Sequence, residues 1–237
     1  MFTPLTEAET QAIFLTLRVA FWATLLSLPP GIALAWLLER KRFPLRGLVD
    51  ALVHLPLVLP PVVTGWLLLV AFGRRGPVGE WLYDWFGITL AFRWTGAVLA
   101  AAVMAFPLLV RAVRLSIAAI DRQTEIAAQG LGAAPWQVFW RITLPLSLPG
   151  IVAGGVLCFA RAVGEFGATI TFVANIPGQT QTLSSAIYAA LQVPGGAGQA
   201  TRLIWVSLVI ALGAILVAEW LARRIARRQM PQAAPRR

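Results

Sequence analysis

The chain has 237 residues, of which 58% are hydrophobic and 13% charged, and its mean hydropathy is +0.74. Soluble domains carry about 25% charged residues, so the composition excludes a soluble protein and predicts a polytopic membrane protein. The formal charge of +10 does not indicate a nucleic-acid-binding protein, because the cationic residues lie in short loops and in the tail, not along one soluble face. No long polar stretch is present, so we expect one transmembrane domain over residues 1–237.

Five runs of apolar residues are long enough to cross a bilayer as helices, which takes about 20 residues for each span. They cover residues 12–38, 48–72, 94–110, 148–173 and 203–218. The sequence therefore predicts an all-α polytopic membrane protein with five transmembrane helices. A sixth span stays open at residues 182–193, where an apolar patch lies inside a polar, glycine-rich loop.

The distribution of basic residues predicts the orientation of these spans. With five spans, the basic loop 39–46, the basic end of the third run and the basic tail at 222–237 all fall on one side. An excess of Lys and Arg marks the cytoplasmic side of a membrane protein. We therefore expect the C-terminus in the cytoplasm, and the N-terminus and the loops 73–93 and 175–201 outside.

The chain lacks the motifs of common enzymes. It has no GxxxxGK[ST] phosphate loop and no GxSxG nucleophile elbow. With one His and one Cys, a metal site of ordinary composition cannot form within one chain. We expect no catalytic residue, no metal and no cofactor in this chain, and any use of ATP would require another subunit.

Residues 125–150 form the one long stretch between apolar runs that is neither a span nor an ordinary polar loop. Alanine and glycine come first, and small residues let another surface approach a helix closely. Pro135 suits the start of a second short helix, which we expect Leu144-Pro145 to end. One aromatic face of this helix has Trp136, Phe139 and Trp140. Spacing alone leaves an interfacial hairpin lying on the bilayer as an equal alternative.

This stretch resembles the EAA loop of ABC-importer permeases, in which Glu-Ala-Ala is followed by three residues, Gly, nine residues, Ile, one residue and Leu-Pro. The matching residues are Ala127, Ala128, Gly132, Ile142, Leu144 and Pro145. Ile126 stands at the Glu position of the motif, with Glu125 one place earlier, and Ala134 replaces a small hydroxyl residue. The resemblance implies a MetI-like permease fold in which residues 119–149, here named the EAA-like loop, form short cytoplasmic coupling helices.

In that family the coupling helices sit in a groove of the ATP-binding subunit, so the resemblance also implies a coupling surface on this chain. Its residues would be Glu125, Ala127, Ala128, Gly132, Ala133, Trp136, Phe139 and Arg141. The contact that the family makes through its Glu does not carry over directly, because Ile126 occupies that position.

Three further stretches, residues 54–63, 73–92 and 164–196, are similar to molybdate permeases. The similarity implies a molybdate permease of the bacterial inner membrane that acts as a homodimer. Its partners would be two ATP-binding cassette subunits and a periplasmic or lipid-anchored oxyanion-binding protein. A permease for tungstate or for sulfate and thiosulfate is the runner-up. An ATP-independent secondary transporter or channel and a structural membrane anchor are further alternatives, although the internal repeat that secondary transporters often have is not evident.

Two ionisable residues, Arg161 and Glu165, lie inside the fourth apolar run, where a charge is costly and indicates function by default. Being four residues apart on one helix, they can pair. One hypothesis is a structural ion pair at the subunit interface. The other is that the pair lines the translocation path, which Thr169, Thr171 and Asn175 would then continue towards the outer side.

Overall fold

The computed structural model describes residues 5–229, and every regular element in that part of the chain is helical. The helices are α1 (Glu7–Arg40), α2 (Arg46–Val58), α3 (Pro61–Phe72), α4 (Pro77–Phe86), α5 (Trp94–Ala118), α6 (Arg122–Gly130), α7 (Pro135–Val138), a π-helical turn (Phe139–Thr143), α8 (Leu144–Val163), α9 (Gly167–Val173), α10 (Leu183–Leu191) and α11 (Ala197–Gln229). The predicted basic tail at 222–237 lies outside the described residues from position 230 onward.

Four helices of the described chain are long and apolar enough to cross a membrane. They are Glu7–Arg40, Trp94–Ala118, Pro135–Val163 and Ala197–Val217. Helices α2 and α3 pass the same test as a pair, although the chain bends by 116° between them. If this broken pair counts as one span, the described chain has five spans. The predicted all-α membrane fold is confirmed. Helix α10 has only nine residues and is too short to cross a bilayer.

The bend between α2 and α3 has a cause in the sequence. Leu59 and Pro60 separate the two helices, and α3 begins at Pro61. A proline lacks the N–H that an α-helix needs and disfavours the helical conformation of the residue before it. Two adjacent prolines therefore stop α2 and restart the chain in a new direction.

Helix α5 is the centre of the fold, with α1 and α8 packed against it. Four of its alanines, Ala97, Ala100, Ala101 and Ala105, are fully buried. Glycines on the neighbouring helices allow the same close approach. A Cβ on Gly31 of α1 would lie 2.8 Å from the side chain of Leu109. Small residues at helix contacts are how membrane helices reach tight packing without a hydrophobic driving force.

The prediction that Leu144-Pro145 ends the second short helix is wrong. The chain stays helical from Pro135 through the π-helical turn into α8. Pro145 therefore stands inside a continuous helical segment, directly after the π-helical turn, and such local departures from α-helical geometry let membrane helices tolerate a proline. The fourth apolar run also differs from the prediction, because its helix stops at Val163 and α9 begins separately at Gly167.

Candidate functional site

The EAA-like loop folds as two short helices joined by a turn, as the break predicted between Gly132 and Pro135 requires. Asp121 caps α6 by accepting a hydrogen bond at 2.9 Å from the N–H of Gln123. Beyond α6, Gly132 adopts a φ of +90°, a left-handed conformation that favours glycine. This turn lets the second helix begin at Pro135 and continue directly into α8.

Most of the predicted coupling residues lie at the surface of the loop. The exposed and partly exposed members are Ala127, Ala128, Gly132, Ala133, Trp136, Phe139 and Arg141. Glu125 differs, since only 7% of it is exposed. Any role that it has in coupling is therefore exerted from inside the chain.

The predicted aromatic face divides into an inner and an outer part. Phe139 packs edge-on against Trp36 of α1, with ring centroids 5.3 Å apart. Trp136 and Trp140 are 65% and 61% exposed. Ile126 and Leu131, which are not among the predicted coupling residues, are also exposed, by 52% and 90%. We call Ile126, Leu131, Trp136 and Trp140 the apolar set; large apolar side chains gathered on a short exposed segment indicate an interaction surface.

A buried polar cluster, also missed from the sequence, surrounds Glu125. Its Oε1 accepts a hydrogen bond at 2.6 Å from the hydroxyl of Thr143, at the end of the π-helical turn. Its Oε2 lies 2.9 Å from Nε of Arg40, whose N–H is not directed at the carboxylate, so this contact is an ion pair without a hydrogen bond. Nη2 of Arg40 donates to the carbonyl oxygens of Ile117 and Ile120 at 2.9 and 3.2 Å. One cluster thus joins α1, the end of α5, α6 and the start of α8.

Arg161 and Glu165, the candidates for the translocation path, form an ion pair with Nη1 2.7 Å from Oε2. The Glu165 side chain is 2% exposed and that of Arg161 29%. The other carboxylate oxygen of Glu165 accepts a hydrogen bond at 2.9 Å from the N–H of Ala168 in α9. The pair therefore bridges the break between α8 and α9, while the guanidinium keeps a face open to its surroundings.

The other path candidates lie on and just beyond α9. Thr169 is buried, and the hydroxyl of Thr171 donates to the carbonyl of Gly167 at 3.0 Å. Asn175 is half-buried, and its Oδ1 has no hydrogen-bond partner within residues 5–229. Among the described residues, the Asn175 oxygen is thus a buried acceptor without a hydrogen-bond partner.

Helix α9 packs against α3 with almost no space between the backbones. A Cβ on Gly65 of α3 would lie 2.5 Å from the carbonyl oxygen of Ala168. A Cβ on Gly167 of α9 would lie 2.6 Å from Cβ of Pro61. Since Pro61 opens α3 directly after the 116° bend, the position of α9 is tied to the geometry of that bend.

Other ionisable groups join helix ends. Arg114 of α5 lies 3.0 Å from the carboxylate of Glu39 in α1 and 2.8 Å from that of Asp50 in α2. Arg202 at the start of α11 lies 2.9 Å from Glu9, which is almost fully buried. These ion pairs fix the helices relative to one another.

Between residues 5 and 229, no group of three or more His, Cys, Asp or Glu side chains is placed to hold a metal ion.

Comparison with known proteins gives concordant matches. The family described as the binding-protein-dependent transport system inner membrane component matches residues 29–230. The chain is 60% identical to the molybdenum transport system permease protein ModB of Escherichia coli K12 over 219 residues, 92% of this chain and 96% of that protein. It is 56% identical to ModB of Haemophilus influenzae, over 92% of this chain and 95% of that one. A solved structure of the inward-facing MetNI methionine ABC transporter superposes with a TM-score of 0.77 at 18% identity, over 95% of this chain and 99% of that chain.

Proposed function

The chain belongs to the binding-protein-dependent transport system inner membrane components, and on that basis we propose that it is the permease subunit of an ATP-driven molybdate importer. The 60% identity to a molybdenum permease over 92% of the chain carries the choice of substrate. The apolar helices make it a multi-pass protein of the bacterial inner membrane. It is a transport subunit without catalytic residues of its own, and its partner subunits hydrolyse the ATP.

Two copies of the chain form one pore, and two ATP-binding cassette subunits dock on their EAA-like loops. The apolar set supports this assembly, because four large apolar side chains on a cytoplasmic loop need a partner to cover them. Ile126 is 52% exposed at the position where the family motif has Glu. The docking contact at this point is therefore apolar in this protein, and Glu125 acts from behind it.

The positive-inside rule places the EAA-like loop in the cytoplasm together with the C-terminus. The N-terminus and the loops 73–93 and 175–201 then face outwards. These loops contain the short helices α4 and α10. A periplasmic or lipid-anchored oxyanion-binding protein delivers molybdate to them.

Arg161 attracts the divalent oxyanion within the pore, and Glu165 keeps the site weak enough to release it. Conduction through a membrane protein requires binding that is favourable but not tight. Arg161 supports this role with its partly exposed side chain, and Glu165 offsets its charge from 2.7 Å away. Asn175, whose buried side-chain oxygen has no partner among the described residues, follows α9 towards the outer side.

ATP binding closes the two nucleotide-binding subunits, and the coupling helices move with them. The pore then changes from inward-open to outward-open by rigid-body motion of helices, a common repertoire for such switches. Helix α8 suits this transmission, because the chain is helical without a gap from the coupling helix at Pro135 to the end of α8 at Val163.

The deciding experiment is the ATPase activity and uptake of the reconstituted complex with its binding protein, in the presence of molybdate, tungstate or sulfate. We expect a stoichiometric partner with a phosphate loop to co-purify, and molybdate-loaded binding protein to stimulate both activities. Equal stimulation by sulfate would favour a broader oxyanion permease. Full uptake driven by an ion gradient without the ATP-binding partner would refute the proposal.

A further inference from the structure

Helix α6 is attached to the rest of the protein in an unusual way. Among the described residues of α6, Glu125 is the only one that is buried. Its neighbours Arg122, Gln123 and Gln129 are exposed. A short helix normally docks through an apolar face, whereas α6 is held through a carboxylate. The contacts of Glu125 therefore decide how firmly α6 follows the membrane helices.

Both oxygens of the carboxylate are engaged, and by different parts of the chain. Oε1 accepts the Thr143 hydroxyl at 2.6 Å, and Oε2 lies 2.9 Å from Nε of Arg40. Charge-assisted hydrogen bonds to a buried carboxylate are among the stronger side-chain contacts. Removing one partner of a buried pair leaves an uncompensated charge, so the cluster resists being opened.

Arg40 extends the cluster to a third helix. It closes α1 and its Nη2 caps the C-terminal end of α5 through the carbonyl oxygens of Ile117 and Ile120. Thr143 continues it into α8, at whose far end Arg161 lies roughly 27 Å away along the helix axis. Three polar side chains thus connect α6 to α1, to the end of α5 and to the start of α8.

We propose that Arg40, Glu125 and Thr143 are positioning residues that couple movement of the EAA-like loop to the membrane helices, and that they do so without touching the ATP-binding subunit. The inference rests on the proposed function, since it assumes that such a subunit moves the loop. It assigns Glu125 a role different from that of a docking residue. Docking and transmission then reside on different faces of α6, with Ile126 exposed and Glu125 buried.

The test measures molybdate taken up per ATP hydrolysed by the reconstituted complex, together with the amount of ATP-binding subunit that co-purifies. Glu125→Gln removes the charge but keeps an oxygen that accepts the Thr143 hydroxyl. Thr143→Val removes the hydroxyl at nearly constant volume, and Thr143→Ser retains it. Arg42→Gln is the matched control, because Arg42 is an exposed charge near the end of α1 and lies outside the EAA-like loop.

We expect Glu125→Gln and Thr143→Val to assemble normally and to hydrolyse ATP, but with uptake per ATP lowered by about fivefold or more, the lower end of typical coupling effects. Thr143→Ser and Arg42→Gln should keep the wild-type ratio. If Glu125→Gln does not accumulate in the membrane, the comparison of uptake per ATP between Thr143→Val and Thr143→Ser decides the test.

Two results would overturn the inference. An unchanged ratio in Thr143→Val and Glu125→Gln would show that the cluster transmits nothing. Loss of the co-purifying subunit in Glu125→Gln would make Glu125 a docking residue instead. Failure of the wild-type complex to show ATP-driven uptake would be a failure of the proposed function, and it is recognised before any variant is compared.

Discussion

Glu165 holds the guanidinium of Arg161 with one carboxylate oxygen, at 2.7 Å, and the first turn of α9 with the other. A pair that bridges a helix break has a structural task whatever else it does. The side chain of Arg161 is 29% exposed, and under the proposed function its second task is contact with a permeating anion. The two tasks make different predictions, because only one of them depends on the net charge that Arg161 presents to the pore.

The first prediction separates these tasks. Arg161→Ala should lower molybdate uptake by about tenfold or more, since a charge-assisted contact is worth about 1.5–3 kcal/mol. Assembly with the ATP-binding subunits should fall much less. The double variant Arg161→Ala/Glu165→Gln removes the buried, unpaired carboxylate and should restore membrane levels without restoring uptake. Wild-type uptake by either variant at wild-type membrane levels would leave the pair with a structural role alone.

The membrane helices could be predicted from the sequence, because each apolar run reports its own length and composition. The buried cluster around Glu125 could not. Helical periodicity says which residues share a face of α6, but not that a polar face turns inwards to meet Arg40 and Thr143. The motif register marks a stretch that folds as short helices, and because Glu125 is buried we do not expect it to take over the contact of the motif's Glu one place later.

The breaks within spans were only partly predictable. The prolines at positions 60 and 61 indicate an interruption, but the angle of 116° depends on the packing of α3 against α9. Leu144-Pro145 indicated a helix end where none exists. A proline within a continuous helix and a proline after a helix look alike in sequence, and here the π-helical turn before Pro145 lets the helix continue.

A second prediction concerns the docking surface. Trp136→Ala should weaken binding of the ATP-binding subunit by about 2 kcal/mol or more, or roughly 30-fold, as for an exposed Trp that becomes an interface hot spot. Trp85→Ala in α4 is the matched control, because Trp85 is 75% exposed on the loop that we assign to the opposite side. The dissociation constant in detergent is the measurement. Equal effects of both substitutions would argue against docking on the EAA-like loop.

Charge at the docking surface gives a third prediction. Ile126→Glu recreates the motif residue, yet it should weaken docking because it places a carboxylate in an apolar contact. Ile126→Leu should leave the affinity within about threefold of the wild type, since a hydrophobic substitution of equal volume is tolerated best. The same binding measurement applies. Tighter docking of Ile126→Glu would show that the partner groove still offers a cation to this position.

The fourth prediction tests the contact between α3 and α9. Gly65→Ala places a Cβ 2.5 Å from the carbonyl oxygen of Ala168, so α9 must move, at a cost of about 1–3 kcal/mol for overpacking. Gly213→Ala in α11 is the control, because nothing lies within 4 Å of its added Cβ and alanine favours a helix by up to about 1 kcal/mol over glycine. Thermal unfolding in detergent should show a lower midpoint for the first variant only. An unchanged midpoint for Gly65→Ala would show that α3 and α9 separate without cost.

The last prediction decides the orientation of the spans. Cys158 is buried in α8, and its replacement by alanine provides a cysteine-free background. Two exposed glutamines, Gln179 and Gln129, lie on loops that we assign to opposite sides of the membrane. In intact cells a membrane-impermeant maleimide should label Gln179→Cys, and it should label Gln129→Cys only after permeabilisation, because the basic residues keep the loop of Gln129 in the cytoplasm. The reverse pattern would invert the topology and remove the EAA-like loop from the reach of any ATP-binding subunit.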